Sequence, residues 1–212
     1  MSGRARLLRG VALAAWALGL APGAAAQAAA GAATAAGAVR DTATFASGCF
    51  WCTESDFEKV PGVLDAVSGY SGGRVADPTY EQVSTGRTGH REAVQVIYDP
   101  ARVSYRQLLD VFWRNVDPVD ARGQFCDKGY QYTSAIYVSS AEERRLADSS
   151  KRALDQSGRL TKPVVTEVAA EAPFYKAEDY HQSYYKKNPI RYRYYRTSCG
   201  RDRRLRELRS GT

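Results

Sequence analysis

The sequence predicts an α+β fold, a two-layer α/β sandwich, and three observations carry that reading. Residues 92–98 (EAVQVIY) alternate so that Val94, Val96 and Tyr98 share one face, which is the period of a strand, and Asp99-Pro100 closes the run. Behind Ser104, residues Tyr105, Leu108, Leu109, Phe112 and Trp113 recur at i, i+3, i+4, i+7 and i+8, the period of a capped amphipathic helix. Elements of both kinds are interspersed along the chain, some strands reading as antiparallel, and that order packs helices on a sheet. A chain of 212 residues with 44% hydrophobic and 25% charged side chains has the mix of a globular protein, which excludes wholesale disorder.

The other elements follow in order. Residues 42–47 read as a strand and 53–60 as a helix stopped by Pro61-Gly62. Residues 63–70 are strand-like and end in the turn Ser71-Gly72-Gly73. Beyond the Ser104-capped helix, residues 134–138 form another strand. Ser140 and Glu143 then read as a capping box for a polar helix running to about Gln156. Residues 164–169 supply a further strand and 178–187 a last short helix. From Lys186 onward ten Lys/Arg face two acids, among the tyrosines Tyr192, Tyr194 and Tyr195. This segment reads as a solvated tail packing its tyrosines on the core; no recognised motif accompanies the charge, so nucleic acid is not an expected partner.

The N-terminus stands apart from the fold. Arg4, Arg6 and Arg9 precede a short apolar run, residues 11–20, and Ala24-Ala25-Ala26 offers the small residues behind which a signal peptidase cuts. Residues 1–26 therefore read as a secretory signal peptide of the general export type, and residues 27–39, almost only Ala, Gly and Thr, as a linker. The apolar run falls short of the ~20 residues of a membrane span, so no stable span is expected. That leaves one domain over residues 40–212, exported to the bacterial periplasm and monomeric.

The chemistry concentrates at Gly48-Cys49-Phe50-Trp51-Cys52. Cys49 falls where a strand hands over to a helix, and the free N–H groups and dipole of a helix start are expected to lower its pKa and make it nucleophilic. Two aromatic rings beside it suit an apolar substrate group. By itself Cys49-x-x-Cys52 also fits a thioredoxin-like oxidoreductase or half of a zinc site. Zinc needs further ligands, but Cys126 and Cys199 are isolated and the chain has two histidines, so no metal is expected.

Gly48-Cys49-Phe50-Trp51 with Glu54, Ser68-Gly69-Tyr70-Ser71-Gly72-Gly73, Pro78-Thr79-Tyr80, Thr88-Gly89-His90-Arg91-Glu92-Ala93-Val94 and Tyr98-Asp99-Pro100 run in order along the chain. So do Phe112-Trp113, Asp117-Pro118, Asp127 with Gly129, Gln131 and Tyr132, Ser134-Ala135-Ile136, and Ala177-Glu178-Asp179-Tyr180-His181-Gln182. Together they resemble the A-type peptide methionine sulfoxide reductases across essentially the whole domain. The resemblance implies a two-layer sandwich around a central mixed sheet, of ferredoxin-like type, with a long coil at the C-terminus. It implies no cofactor, and a thioredoxin-like electron donor.

The resemblance also implies roles. Cys49 is the nucleophile toward the sulfoxide sulfur of oxidised methionine, and Glu92 the acid that protonates the departing oxygen. Tyr70 and Tyr132 hold that oxygen, Asp127 organises substrate or water, and Phe50 with Trp51 receives the S-methyl group. His90 and His181 are expected to be structural. The sulfenic acid left on Cys49 needs a second thiol. Cys199, in the tail, is the expected first resolver, with Cys52 and Cys126 as the other candidates; Cys52 stands where many members have glycine. Substrates are free or protein-bound methionine-S-sulfoxide. A general thiol–disulfide oxidoreductase built on Cys49 and Cys52 is the alternative.

Overall fold

The computed structural model describes residues 39–210. The expected signal peptide, and the linker apart from its last residue, lie outside them. Sixteen short elements follow in order: β1 (Asp41–Ala46), α1 (Phe50–Phe57), β2 (Val63–Ser71), α2 (Tyr80–Ser84), β3 (Arg91–Tyr98), α3 (Tyr105–Arg114), β4 (Gly123–Gln124), β5 (Asp127–Lys128), a 3₁₀ turn (Tyr130–Tyr132), β6 (Ala135–Val138), α4 (Ala141–Asp155), β7 (Glu167–Ala170), β8 (Phe174–Lys176), α5 (Tyr184–Lys187), α6 (Pro189–Ser198) and α7 (Arg201–Ser210).

Six strands form one mixed sheet in the order β7-β6-β1-β3-β2-β8. All neighbours are antiparallel except β6 and β7, which run parallel through the α4 crossover. The predicted face of β3 is the one the helices cover: Val94, Val96 and Tyr98 join Phe45 and Ile136 of neighbouring strands under Phe50, Phe57, Leu108, Leu109 and Phe112. Rings of Phe45, Phe57 and Phe112 stack at centroid distances of 4.9 and 5.5 Å from Phe45, the offset packing aromatic cores favour. The opposite face carries a smaller cluster of Ala46, Ala93, Ala135 and Tyr137. Residue parity therefore puts Glu92, two before Val94, on the helix-covered face.

Several boundaries differ from the reading by pattern. α1 begins at Phe50, three residues early, so that Cys49 itself occupies the N-cap position. Ser140 caps α4 by accepting from Glu143 N–H, but the Glu143 carboxylate reaches back to Ser139 rather than closing the box on Ser140. The helix expected over 178–187 is reduced to α5, because Ser183 takes a left-handed conformation at φ 50°. Before it, the Gln182 amide is engaged with the β2 backbone, accepting from Ser68 N–H at 3.0 Å and donating to Ser68 O at 2.9 Å. The largest correction is the tail. It is not coil: Pro189 starts α6, Gly200 at φ +71° turns the chain, and α7 follows. Its charged sequence carries no apolar stripe; the anchors are single buried residues, Tyr192, Arg201 and Leu205.

Candidate active site

Gly48 sets the geometry. Its φ of +85° turns the chain from β1 into α1, and a Cβ there would lie 2.5 Å from Gln124 Cβ. Gln124 in turn bonds both backbone groups of Asp117 at 2.8 Å. The absent side chain thus lets the β4–β5 hairpin pack on the cysteine turn, bringing Cys126 and Asp127 beside it.

Cys49 is 6% exposed and Cys52 1%. Glu92, 3% exposed, reaches the same turn and accepts the Phe50 N–H at 2.9 Å. Burial pushes the Glu92 carboxyl up to about 8, against the pull of that N–H, so it holds its proton at neutral pH. The expected lowering of the Cys49 pKa is overturned. Burial, the neighbouring Cys52 and Glu92 push it well up instead. The helix-start donors are already engaged: Phe50 N–H on Glu92, Cys52 and Thr53 N–H on the Cys49 carbonyl. Cys49 donates its thiol proton toward Cys52, whose own pKa falls to about 7 through that bond and the nearby Arg201 and Arg196.

Tyr132 and Tyr80 meet over this pocket, hydroxyl to hydroxyl, and both feel Glu92 and Cys49. Burial raises Tyr132 and brings Tyr80 to about 12, so both stay protonated donors. Tyr70, expected in that role, also feels Glu92, but its hydroxyl donates to Glu178 at 2.8 Å and its fully buried ring packs on Phe50. Tyr80 is the tyrosine whose hydroxyl meets Tyr132, and its own N–H donates to the same Glu178 at 2.8 Å. The signal was present in Pro78-Thr79-Tyr80, where Thr79 caps α2.

The aromatic wall is larger than Phe50 and Trp51. Phe50 lies behind, in the core, while half-buried Trp51 stacks on Tyr184 at 3.7 Å and donates to His181 Nδ1 at 3.0 Å. His181 also packs on Phe50 and Tyr80, at 4.8 and 4.5 Å between ring centroids. Desolvation lowers its pKa, which keeps Nδ1 free to accept. His90 sits away, accepting from Gly73 N–H and pairing with Val75 O.

Asp127 accepts the hydroxyl of Tyr195, a residue of α6 that also reaches Cys49 and was not anticipated. Cys199 is not a free thiol. It is bonded to Cys126, which is exposed, and the free cysteines are Cys49 and Cys52. Cys126, Asp127 and Cys199 cluster within 4.8 Å, but with both sulfurs in the disulfide they offer no thiolate ligands. A cavity of ≈ 450 Å³ between α3, α4 and α7, lined by Trp113, Leu154 and Leu208 among others, contains none of these residues.

A buried thiol pair beside a protonated carboxyl, tyrosine hydroxyls and an aromatic wall defines a thiol-dependent oxidoreductase for a small group with an apolar methyl and a protonatable oxygen. The chain belongs to the peptide methionine sulfoxide reductases, whose family pattern matches residues 41–211. It is 54% identical over 166 residues to a Vibrio cholerae peptide methionine sulfoxide reductase MsrA/MsrB, covering 78% of this chain and 44% of that longer protein. To the MsrA of Ligilactobacillus salivarius it is 52% identical over 72% of this chain and 89% of that one. The fold matches reduced Mxr1 of Saccharomyces cerevisiae with a TM-score of 0.67 at 31% identity, over 71% and 87% of the two chains. Thiol-dependent reduction of methionine sulfoxide is the activity of this site.

Proposed function

We propose that the chain reduces the S epimer of methionine sulfoxide, free or in proteins, with Cys49 as nucleophile and Glu92 as acid. The observation that carries this is the protonated, buried Glu92 carboxyl at the helix start that bears Cys49. The sulfoxide methyl rests on Trp51, and Tyr80 with Tyr132 donates to the oxygen. As Cys49 sulfur bonds to the sulfoxide sulfur, its proton passes to Cys52 and the Glu92 proton goes to the oxygen. The sulfoxide S–O bond and the new S–S bond then break as the hydroxyl passes to the Cys49 sulfur; methionine leaves, and Cys49 becomes a sulfenic acid, giving up the two electrons that reduce the sulfoxide.

Cys52 is the first resolver on this reading, in place of the Cys199 expected from sequence, because its thiol is free and in contact with Cys49. Cys126 and Cys199 form the outer pair: a dithiol there reduces the inner disulfide and becomes the bond a thioredoxin-type donor attacks. The observed distribution, inner pair reduced and exposed outer pair oxidised, is the one such a transfer leaves. Mxr1 is also described in complex with Trx2. A general thiol–disulfide oxidoreductase fits less well, since buried sulfurs at Cys49 and Cys52 are closed to protein disulfides. Export to the periplasm as a monomer completes the reading, and the intact mass of exported protein tests cleavage after Ala26. The decisive assay offers resolved sulfoxide epimers of a methionine peptide with dithiothreitol. Turnover of the S epimer alone is expected; turnover of neither, with insulin disulfides reduced, overturns the reading.

A further inference from the structure

The C-terminal helix pair brings two guanidiniums to the back of α1. Arg201, 1% exposed, donates to Ser47 O at 3.2 Å and Asn115 O at 2.5 Å, and lies 4.6 Å over the Phe125 ring. It sits 3.7 Å from Asp56, and Arg196 sits 2.9 Å from the same carboxylate. Asp56 is four residues after Cys52, one helical turn along the same face. Arg196 also pairs with Asp202, but that side chain is 49% exposed and partly screened by water. Buried Arg201 and the largely buried Arg196 therefore share the buried Asp56 carboxylate one helical turn from Cys52, and Arg196 makes a second, outward pair with Asp202. Cys199 falls between Arg196 and Arg201 in sequence, and its disulfide to Cys126 ties that segment to the β4–β5 hairpin.

We propose that Arg196 and Arg201 are positioning residues for the resolving step: two guanidiniums, delivered by α6 and α7, that hold Cys52 as the sulfur that attacks oxidised Cys49. The inference rests on Cys52 being the first resolver. Its sulfur attacks the sulfenic sulfur of Cys49, an S–S bond forms, the S–O bond breaks, and the departing hydroxide takes a proton to become water. The groups facing Cys52 are Cys49 and Asp56 on α1, Glu92 on β3, Tyr192 and Arg196 on α6, and Arg201 on α7. Of these only the two arginines are cations. Through them the polar tail becomes part of the redox centre.

The test uses the full chain with Cys126–Cys199 oxidised. In a Cys49→Ser parent, where Cys52 is the one free thiol, its rate of alkylation by iodoacetamide is followed against pH. Arg196→Gln is expected to raise the midpoint by about one unit or more and Arg196→Lys to restore it. Asp56→Asn is expected to lower it; loosened packing would hydrate the thiolate and also lower the midpoint, so the upward shift in Arg196→Gln is the one that loosening does not produce. With Cys49 present, Arg196→Gln should still release one methionine per Cys49 in a single turnover, more slowly at pH 7 to the extent that less Cys52 is thiolate to take the Cys49 proton. Its Cys49–Cys52 disulfide should form about twofold more slowly at pH 7 for a one-unit rise, the loss of thiolate being partly offset by greater nucleophilicity, and reach a higher alkaline plateau. An unshifted midpoint in Arg196→Gln, or an upward shift in Asp56→Asn, overturns the proposal while a Cys49–Cys52 linkage in the wild type leaves the resolver reading standing. A wild-type Cys49–Cys199 linkage after one equivalent of substrate overturns the resolver reading and the proposal with it.

Discussion

Glu92→Gln separates the buried acid from a merely buried side chain. In the folded protein the Glu92 carboxyl titrates at about 8, against 4.5 when free. Because the folded value is raised, its stabilising share is full below pH 4.5 and is lost as pH rises through 8. Across that window the wild type should lose about 1.4 kcal/mol per pH unit relative to Glu92→Gln, a total of about 5 kcal/mol. Gln keeps an oxygen for the Phe50 N–H and has no charge to bury, so its stability should not follow that slope. Urea unfolding of both proteins at pH 5, 7 and 9 measures the divergence. Catalysis should follow the same proton. Through ionisation of the acid alone, single-turnover reduction by the wild type should fall about tenfold from pH 7 to pH 9, while Glu92→Gln is slower by ~10²–10⁴-fold at pH 7. A stability difference constant from pH 5 to 9, with unchanged single-turnover rates in the variant, would refute the assignment of Glu92 as the acid.

Cys49→Ser should abolish sulfoxide reduction even with dithiothreitol, and any turnover measured by methionine release would move the nucleophile elsewhere. Tyr80→Phe and Tyr132→Phe should each slow the chemical step with little change in stability. Tyr70→Phe should do the reverse, costing about 1–3 kcal/mol in urea unfolding by leaving Glu178 short of a donor while preserving the single-turnover rate. Gly48→Ala combines a left-handed backbone with a Cβ 2.5 Å from Gln124, and a loss of about 1–3 kcal/mol is expected, with slower alkylation of Cys49 as the turn shifts. Cys199→Ser should retain one turnover per Cys49 but lose most steady-state activity with a thioredoxin-type donor, dithiothreitol restoring part of it.

Local pattern determined much of this protein. The alternation of β3, the stripe and cap of α3, the polar helix behind Ser140 and the cysteine at a strand-to-helix turn are all set by neighbours in sequence, so the fold class and the place of the candidate site were legible there. Alternation left the burial of Glu92 open: its parity with Val94 sets only the face it takes, and residues 91–94 are buried on both faces because other segments cover this end of β3. What distant segments do to one another was decided only by the tertiary structure. The motifs pointed to Tyr70 as a donor, and it is Glu178, about a hundred residues away, that takes the Tyr70 hydroxyl, while the Tyr80 hydroxyl meets Tyr132 beside Glu92 and Cys49. The Cys49 pKa is raised rather than lowered chiefly because the assembled fold buries the thiol, with Cys52 beside it and Glu92, 42 residues beyond Phe50 in sequence, adding to the rise. The charged tail offers no periodic apolar face, so its helices rest on contacts invisible to pattern: Arg196 and Arg201 on Asp56, Tyr195 on Asp127, and Cys199 on Cys126. Periodicity reports which face of an element is buried; ionisation and redox pairing depend on which charges and sulfurs are brought within a few ångströms, and that is a property of the assembled fold.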